Sequence, residues 1–471
     1  MRPAWSLALL AAGCAAVGPD YVAPQTPEPG AFASFESARL SSAAEVEANW
    51  WRALGDDRLA GLVERALRHS PDARIAAARV LEARAGVDAA AADGKPQVEA
   101  GTDYARQRTS PNGREHLPPG ADPVDDLMQA GFRASWDLDV FGRVRRGVEA
   151  AEADFGATLA DRDAVLVALA GEVGGAYVAL LGARRELDAL HADESSAKDT
   201  VGLTESRRRG GLATDLDVAR AESELASVRA QVPDRLAAES RALHRLAVLV
   251  GATPGALDAE LASARTLPVP RPQIVVGIPA ALLARRPDVR RAERALAAET
   301  ARIGVATADL YPDVSLSAAF GLDATSGSDF FQGESRTWSI GPSLRWPILT
   351  GGRIEARIAA QDARAQAAAA AFDKAVLTAL ADVEDSMTAY LRAWDKREAV
   401  RVSVEADRRA VTLARDVQRA GGGTFLDVLD AERRLHESEV RLAQTEAAVA
   451  GDVVALYTAL AGGWEVAVDG Q

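Results

Sequence analysis

Asp427 and Asp430 lie three residues apart in Thr424-Phe425-Leu426-Asp427-Val428-Leu429-Asp430. That spacing puts both carboxylates on one face of a helix. Copies of such a helix gathered around one axis bring like carboxylates together, and a ring of that kind binds cations. Thr424-x-x-Asp427 also reads as a helix capping box, and so does Thr214-x-x-Asp217. Asp430 lies a turn further on, where capping does not need it.

Other groups able to do chemistry are sparse. Cys14 is the only cysteine, so no disulfide forms within the chain. Before it come the basic start Met1-Arg2, the apolar run Leu7-Ala8-Leu9-Leu10 and the small residues Ala11-Ala12-Gly13. Small residues before a cut site mark an export signal. A lone cysteine directly after them resembles the bacterial lipoprotein box, in which the thiol takes a diacylglycerol and becomes the new N-terminus. Ala15, rather than aspartate, follows it, which in that class implies sorting to the outer membrane. That covalent lipid is the only non-protein group expected. His69, His116, His191, His244 and His436 are scattered and show no metal-ligand spacing. Ser195-x-x-Lys198 falls mid-helix without the companion motifs of a serine acyl-enzyme. No Gly-rich phosphate loop follows a strand. An enzyme is not expected.

The chain has 471 residues and a net charge of −14, which argues against a nucleic-acid partner. Aromatics make up 5% and alanine is abundant, a composition suited to close helix–helix contact. Beyond the signal no stretch reaches the ~18 uncharged apolar residues of a membrane helix. Strands must make any membrane crossing.

An internal repeat organises everything else. Ser70-Pro71-Asp72-Ala73-Arg74 returns as Arg286-Pro287-Asp288-Val289-Arg290, and 287 − 71 = 216. Trp136 with Gly142-Arg143 returns as Trp346 with Gly352-Arg353, and 346 − 136 = 210. The Gly211, Thr214, Asp217 pattern returns at the same offset as Gly421, Thr424, Asp427. The shift of six residues falls between Pro96 and Trp136. In both halves that interval alternates apolar and polar residues with period two, as strands of a membrane barrel do. Examples are Ala130, Phe132, Ala134 and Trp136 against Gln129, Arg133 and Ser135, or Val314, Leu316, Ala318 and Phe320 against Asp313, Ser315 and Ser317.

No proline occurs between Arg143 and Val232 or after Pro347. Long helices are therefore expected, with shorter helices returning after Thr214 and Thr424 and a kink at Pro233. The expected division is a signal peptide over 1–13 and an extended, lipid-anchored tether over 14–48. A first repeat covers 49–260, with a hairpin over 96–140 and helices over 143–209 and 214–250. A second covers 261–471, with a hairpin over 312–348 and helices over 353–420 and 424–460. Helices so long must pack side by side. Four strands cannot close a barrel, and lipid tolerates no open edge. A dimer's eight strands would fill their own interior, whereas a trimer's twelve leave a lumen.

At this point the chain resembles the TolC-like outer membrane factor family, in the lipoprotein branch that serves RND-type efflux pumps. The residues that carry the likeness are Cys14 with Gly18-Pro19-Asp20-Tyr21, Trp50-Trp51, Arg286-Pro287-Asp288-Val289 and Gly422 through Ala431. The likeness implies an α+β membrane protein. A trimeric twelve-stranded transmembrane β-barrel, four strands per chain, would continue into a long periplasmic α-helical barrel. It implies docking to a periplasmic adaptor and an inner-membrane RND transporter, with passive conduction of drugs or other small toxic compounds. It also implies a periplasmic gate ringed by Asp427 and Asp430. Repeat comparison adds Arg220, the counterpart of Asp430, or else the nearby Arg207 to Arg209, as its partner in a closed-state lock, and Asp217 is counted with the gate residues. Two alternatives are an outer-membrane duct for type I protein secretion and, in a different class, a periplasmic coiled-coil lipoprotein.

Overall fold

The computed structural model describes residues 16–25, 32, 39–41, 49–110, 122–268, 274–277 and 279–461. Its elements come in two sets. The first holds β1 (Leu40–Ser41), α1 (Trp50–Ala53), α2 (Asp57–His69), α3 (Pro71–Ala92), β2 (Gln97–Arg108), β3 (Val124–Asp137), α4 (Arg143–Arg209) and α5 (Asp215–Leu249). The short helix α6 (Asp258–Leu261) intervenes. The second holds β4 (Ile274–Val275), α7 (Pro279–Arg285), α8 (Pro287–Ala308), β5 (Asp313–Ala324), β6 (Arg336–Arg345), α9 (Arg353–Arg419) and α10 (Phe425–Ala459). Lengths match across the sets: 22 residues in α3 and α8, 67 in α4 and α9, 35 in α5 and α10.

Helix starts are written locally. Asp56 caps α2 by accepting from the amides of Arg58 and Leu59. Pro71 opens α3 where its missing N–H costs nothing, and Ser70 Oγ accepts from the Asp72 amide. The strand β3 ends at Asp137, short of the expected residue 140, because Asp139 turns the chain with φ of 45°. Its carboxylate then receives the amides of Val144 and Arg145 and caps α4. Likewise β6 stops at Arg345, before Pro347. At its other end β3 begins at Val124. Pro233 does not end α5, which runs through it. The ring sits on the exposed side, where water can serve the carbonyl it leaves unpaired.

The chain forms two compact units, one of Met1–Gln25, Val80–Thr158 and Arg291–Phe372, the other of Thr26–Arg79, Leu159–Arg290 and Asp373–Gln471. The first contains the antiparallel sheet β2-β3-β5-β6. The second contains the core. Trp50 and Trp51 are fully buried there, and Trp50 stacks on Tyr457 with ring centroids 5.5 Å apart. Around them pack Leu59, Leu62 and Val63 of α2, Leu180 and Leu181 of α4, Met387 and Tyr390 of α9, and Val453 and Leu456 of α10. Glycines let α4 and α10 approach closely. A Cβ on Gly174 would meet Val454 Cγ1 at 2.9 Å, and one on Gly182 would meet Ala447 Cβ at 2.9 Å.

Two expectations need correcting. α4 does carry a window apolar enough, by length and composition, to cross a bilayer, and 56% of that window is buried within the chain. Its apolar residues Leu169, Val173, Tyr177 and Leu180 belong to the core, which is why the helix is apolar. Nor is the segment 14–48 wholly a free tether. The Val17 amide donates to the Phe141 carbonyl at 3.1 Å. The buried Arg146 donates to the carbonyls of Val17 and Gly18 and to the carboxylate of Asp20. Further on, β1 pairs in parallel with β4.

Candidate functional site

In the first unit the site is a wall. Across β2, β3, β5 and β6 one face carries Val98, Tyr104, Phe132, Ala134, Leu316, Phe320, Trp338, Ile340 and Leu344, in register from strand to strand. This apolar face is bare: Trp338 is 73% exposed and Phe320 60%. A patch that large on a water-facing surface would be an aggregation hazard, whereas in lipid it is the matched surface. The opposite face carries Glu99, Asp103, Gln129, Arg133, Ser315, Ser317, Asp323, Ser339 and Ser343. Gln129 Nε2 donates to Asp323 at 3.2 Å across the β3–β5 pair.

Gly101, Gly131 and Gly321 stand side by side on this polar face. A Cβ on Gly131 would meet Phe320 O at 2.6 Å, and one on Gly321 would meet Ala130 O at 2.5 Å. Both contacts are with backbone of the adjoining strand, so the β3–β5 pairing is a close approach that glycine at these two positions permits. At one end of the sheet Trp136 donates its indole N–H to Gly94 O (2.9 Å), and Trp346 does the same to Leu310 O (3.1 Å). Each tie fixes a strand end to the end of the helix that feeds the neighbouring strand. Amphipathic indoles in such places suit a membrane–water boundary.

In the second unit the site is a pair of matching turns. α4 ends with Gly211 at φ 76° and α9 with Gly421 at φ 81°. Leu212 N donates to Arg207 O while Gly211 N donates to Arg208 O; Gly422 N and Gly421 N repeat this to Val417 O and Gln418 O. Both helices thus close in a Schellman motif, which needs a left-handed residue and explains the glycines. Two capping boxes follow at once. Asp217 Oδ2 accepts from the amide and hydroxyl of Thr214 at 2.9 and 2.8 Å. Asp427 Oδ2 accepts from those of Thr424 at 2.8 and 2.7 Å. The Thr424 hydroxyl and amide hold the Asp427 carboxyl below its ordinary range. The Thr214 amide and hydroxyl do the same for Asp217, with help from the charge of Arg220.

The carboxylates singled out from sequence thus have different duties. Asp217 and Asp427 cap helices. Asp430 points elsewhere and pairs along its own helix with Arg433 at 2.7 Å and Arg434 at 3.1 Å. Arg208 pairs with Asp215 at 2.8 Å. Arg220 is exposed on α5. Cys14 lies outside the described residues. Sequence reasoning missed the polar ties that join α4, α9 and α10. The buried Glu432 accepts from Arg415 (2.7 Å) and Thr200 (3.0 Å), and Asp193 meets His436. Partners from α4 and α10 stand more than two hundred residues apart, so no local pattern announces them.

The sequence matches the family described as Outer membrane efflux protein over residues 62–252 and 278–462. Nodulation protein T of Rhizobium leguminosarum bv. viciae is 33% identical over 461 residues, 97% of this chain and 92% of that protein. Outer membrane protein OprJ of Pseudomonas aeruginosa is 31% identical over 467 residues, 98% and 95% of the two. Among solved structures the outer-membrane channel OprN has a TM-score of 0.88 at 36% identity, over 96% of this chain and 100% of that one.

Proposed function

Because this chain belongs to the outer membrane efflux protein family, we propose that three copies of it seal one pore. The protein is an outer-membrane efflux channel. Each copy brings four strands to a twelve-stranded barrel, and the repeated long helices continue the lumen as a periplasmic tube. The observation that carries this reading is the sheet order. β2 and β6 are its edges, and the sheet is antiparallel throughout. β6 of one copy can therefore pair antiparallel with β2 of the next, and three such joints leave no edge in lipid. The bare apolar face then meets the bilayer and the polar face lines the pore. Purified in detergent, the protein should run as a trimer that dissociates only on heating, and should conduct ions in planar bilayers. A monomer without conductance would overturn the trimer.

The tube docks to a periplasmic adaptor and, through it, to an inner-membrane RND transporter, which supplies the energy. Drugs or other small toxic compounds pass passively. Cys14 carries the lipid. Its neighbour Val17 is hydrogen-bonded beside the foot of β3. Cys14→Ser should abolish incorporation of labelled palmitate, and continued labelling would remove the anchor.

The turns after α4 and α9 form the periplasmic gate. Six helix starts meet around the axis, so Asp430 of one repeat and Arg220 of the other alternate there. Asp430→Ala and Arg220→Ala should each raise single-channel conductance severalfold in planar bilayers. Unchanged conductance in both would leave Asp430 with only its partners Arg433 and Arg434.

A further inference from the structure

We infer that Asp193, His436 and Glu439 form a divalent-metal site, suited to Zn2+, that staples the long helix α4 to the returning helix α10. One ligand atom from each of the three lies within 4.8 Å of the other two. His436 and Glu439 are three residues apart on α10 and so share a face. Asp193 comes from α4 opposite them. An i,i+3 pair of histidine and glutamate on one helix, completed by a carboxylate from its neighbour, is the way helical bundles build metal sites.

A second observation points to a ligand. Asp193 is 2% exposed, and its Oδ1 meets His436 Nδ1. Its Oδ2 is buried and has no hydrogen-bond partner among the described residues. A buried carboxylate oxygen left this way destabilises the chain, and a purely structural Asp–His pair does not explain it. A cation with bonds of about 2.1 Å would satisfy it. One imidazole nitrogen and two carboxylates make a donor set that zinc accepts, with water at the remaining position. The metal would replace the proton held between Asp193 and His436.

The surroundings are compatible. Arg408 of α9 donates twice to Glu439, both times to Oε1, which leaves Oε2 to turn to the metal. One turn away Glu432 is already engaged by Arg415 and Thr200. The site lies about four turns before the end of α4. A bound ion there would hold together two helices that both lead into the Gly-rich turns.

Tag-free full-length protein in detergent, stripped with EDTA, should be titrated with Zn2+ by calorimetry and with Co2+ by visible absorption. One Zn2+ per chain is expected. Asp193→Asn, His436→Gln and Glu439→Gln should each weaken binding by about tenfold or more. Zn2+ should raise the unfolding temperature of the parent protein and not of the variants. Asp427→Asn with Asp430→Asn should bind Zn2+ undiminished, which separates this site from cations held by the gate carboxylates. Glu439→Gln leaves the Asp193–His436 contact in place, so it reports even where the other variants misfold. Absence of binding in the parent, or equal affinity in Glu439→Gln, would overturn the site.

Discussion

Gly321→Val is expected to prevent assembly of the heat-resistant oligomer and to empty the outer-membrane fraction of the protein. Any Cβ at this position meets Ala130 O at 2.5 Å and Gly131 Cα at 3.0 Å. Both are backbone atoms of the adjoining strand, so no side chain can rotate aside. The strain falls on the β3–β5 pairing, which is the seam between the two hairpins of one copy. Forcing it open disturbs a ten-pair ladder. Overpacking of a tight site costs about 3 kcal/mol at the upper end, a loss of two orders of magnitude in the assembled fraction. Gly341→Ala is the control. Gly341 sits on the same polar face opposite Ser317, and nothing lies within 4 Å of a Cβ built there. Normal trimer yield from Gly321→Val would show that the sheet does not need its glycine row.

The glycine row also shows where sequence reading stops. Alternation along each strand told which residues share a face, because the period of two is a property of one strand alone. It did not tell that Gly131 and Gly321 touch, since that depends on the register between strands from different halves. The long helices were readable to within a residue, the second ending at Arg419 rather than at 420. Arg143–Arg209 and Arg353–Arg419 lie within the proline-free stretches and are bounded by glycine turns whose left-handed backbone only glycine adopts cheaply. The capping boxes were readable for the same local reason. The two-residue strands β1 and β4 were not, because their pairing rests on a contact across the chain rather than on a pattern.

Function was legible where chemistry is repeated and obscure where it is assembled. The two stretches that match the efflux family start 216 residues apart, 278 − 62, the offset read from the Ser70 and Arg286 segments. Trp50-Trp51 served only as a mark of likeness until its place in the core gave it a physical reason. Asp193 and His436 are 243 residues apart and from different repeats, so a search for metal-ligand spacing passed over His436.

Arg286 marks a difference between the two halves, and Arg286→Ala is expected to cost about 1.5 to 3 kcal/mol of stability. Its side chain is 10% exposed. It donates to Asp288 at 2.7 Å, to Asp382 of α9 at 2.8 Å and to the Ala459 carbonyl of α10 at 3.0 Å. That carbonyl is the last of its helix, where the dipole favours a cation. Burial works against the guanidinium, but Asp288 and Asp382 outweigh it and hold its pKa above the ordinary value. At the same point of the first half stands Ser70, fully buried, whose hydroxyl caps α3. There the close approach is made by Gly251, whose missing side chain clears the His69 carbonyl; a Cβ would lie 2.6 Å from it. One half thus joins its helix end to the next helix start by removing a side chain, and the other by inserting a charged fork. Lysine cannot reproduce that fork, so Arg286→Lys should recover only part of the loss. Denaturant unfolding of the detergent-purified protein measures both. A change under 1 kcal/mol in Arg286→Ala would mean that this arginine does not hold the junction.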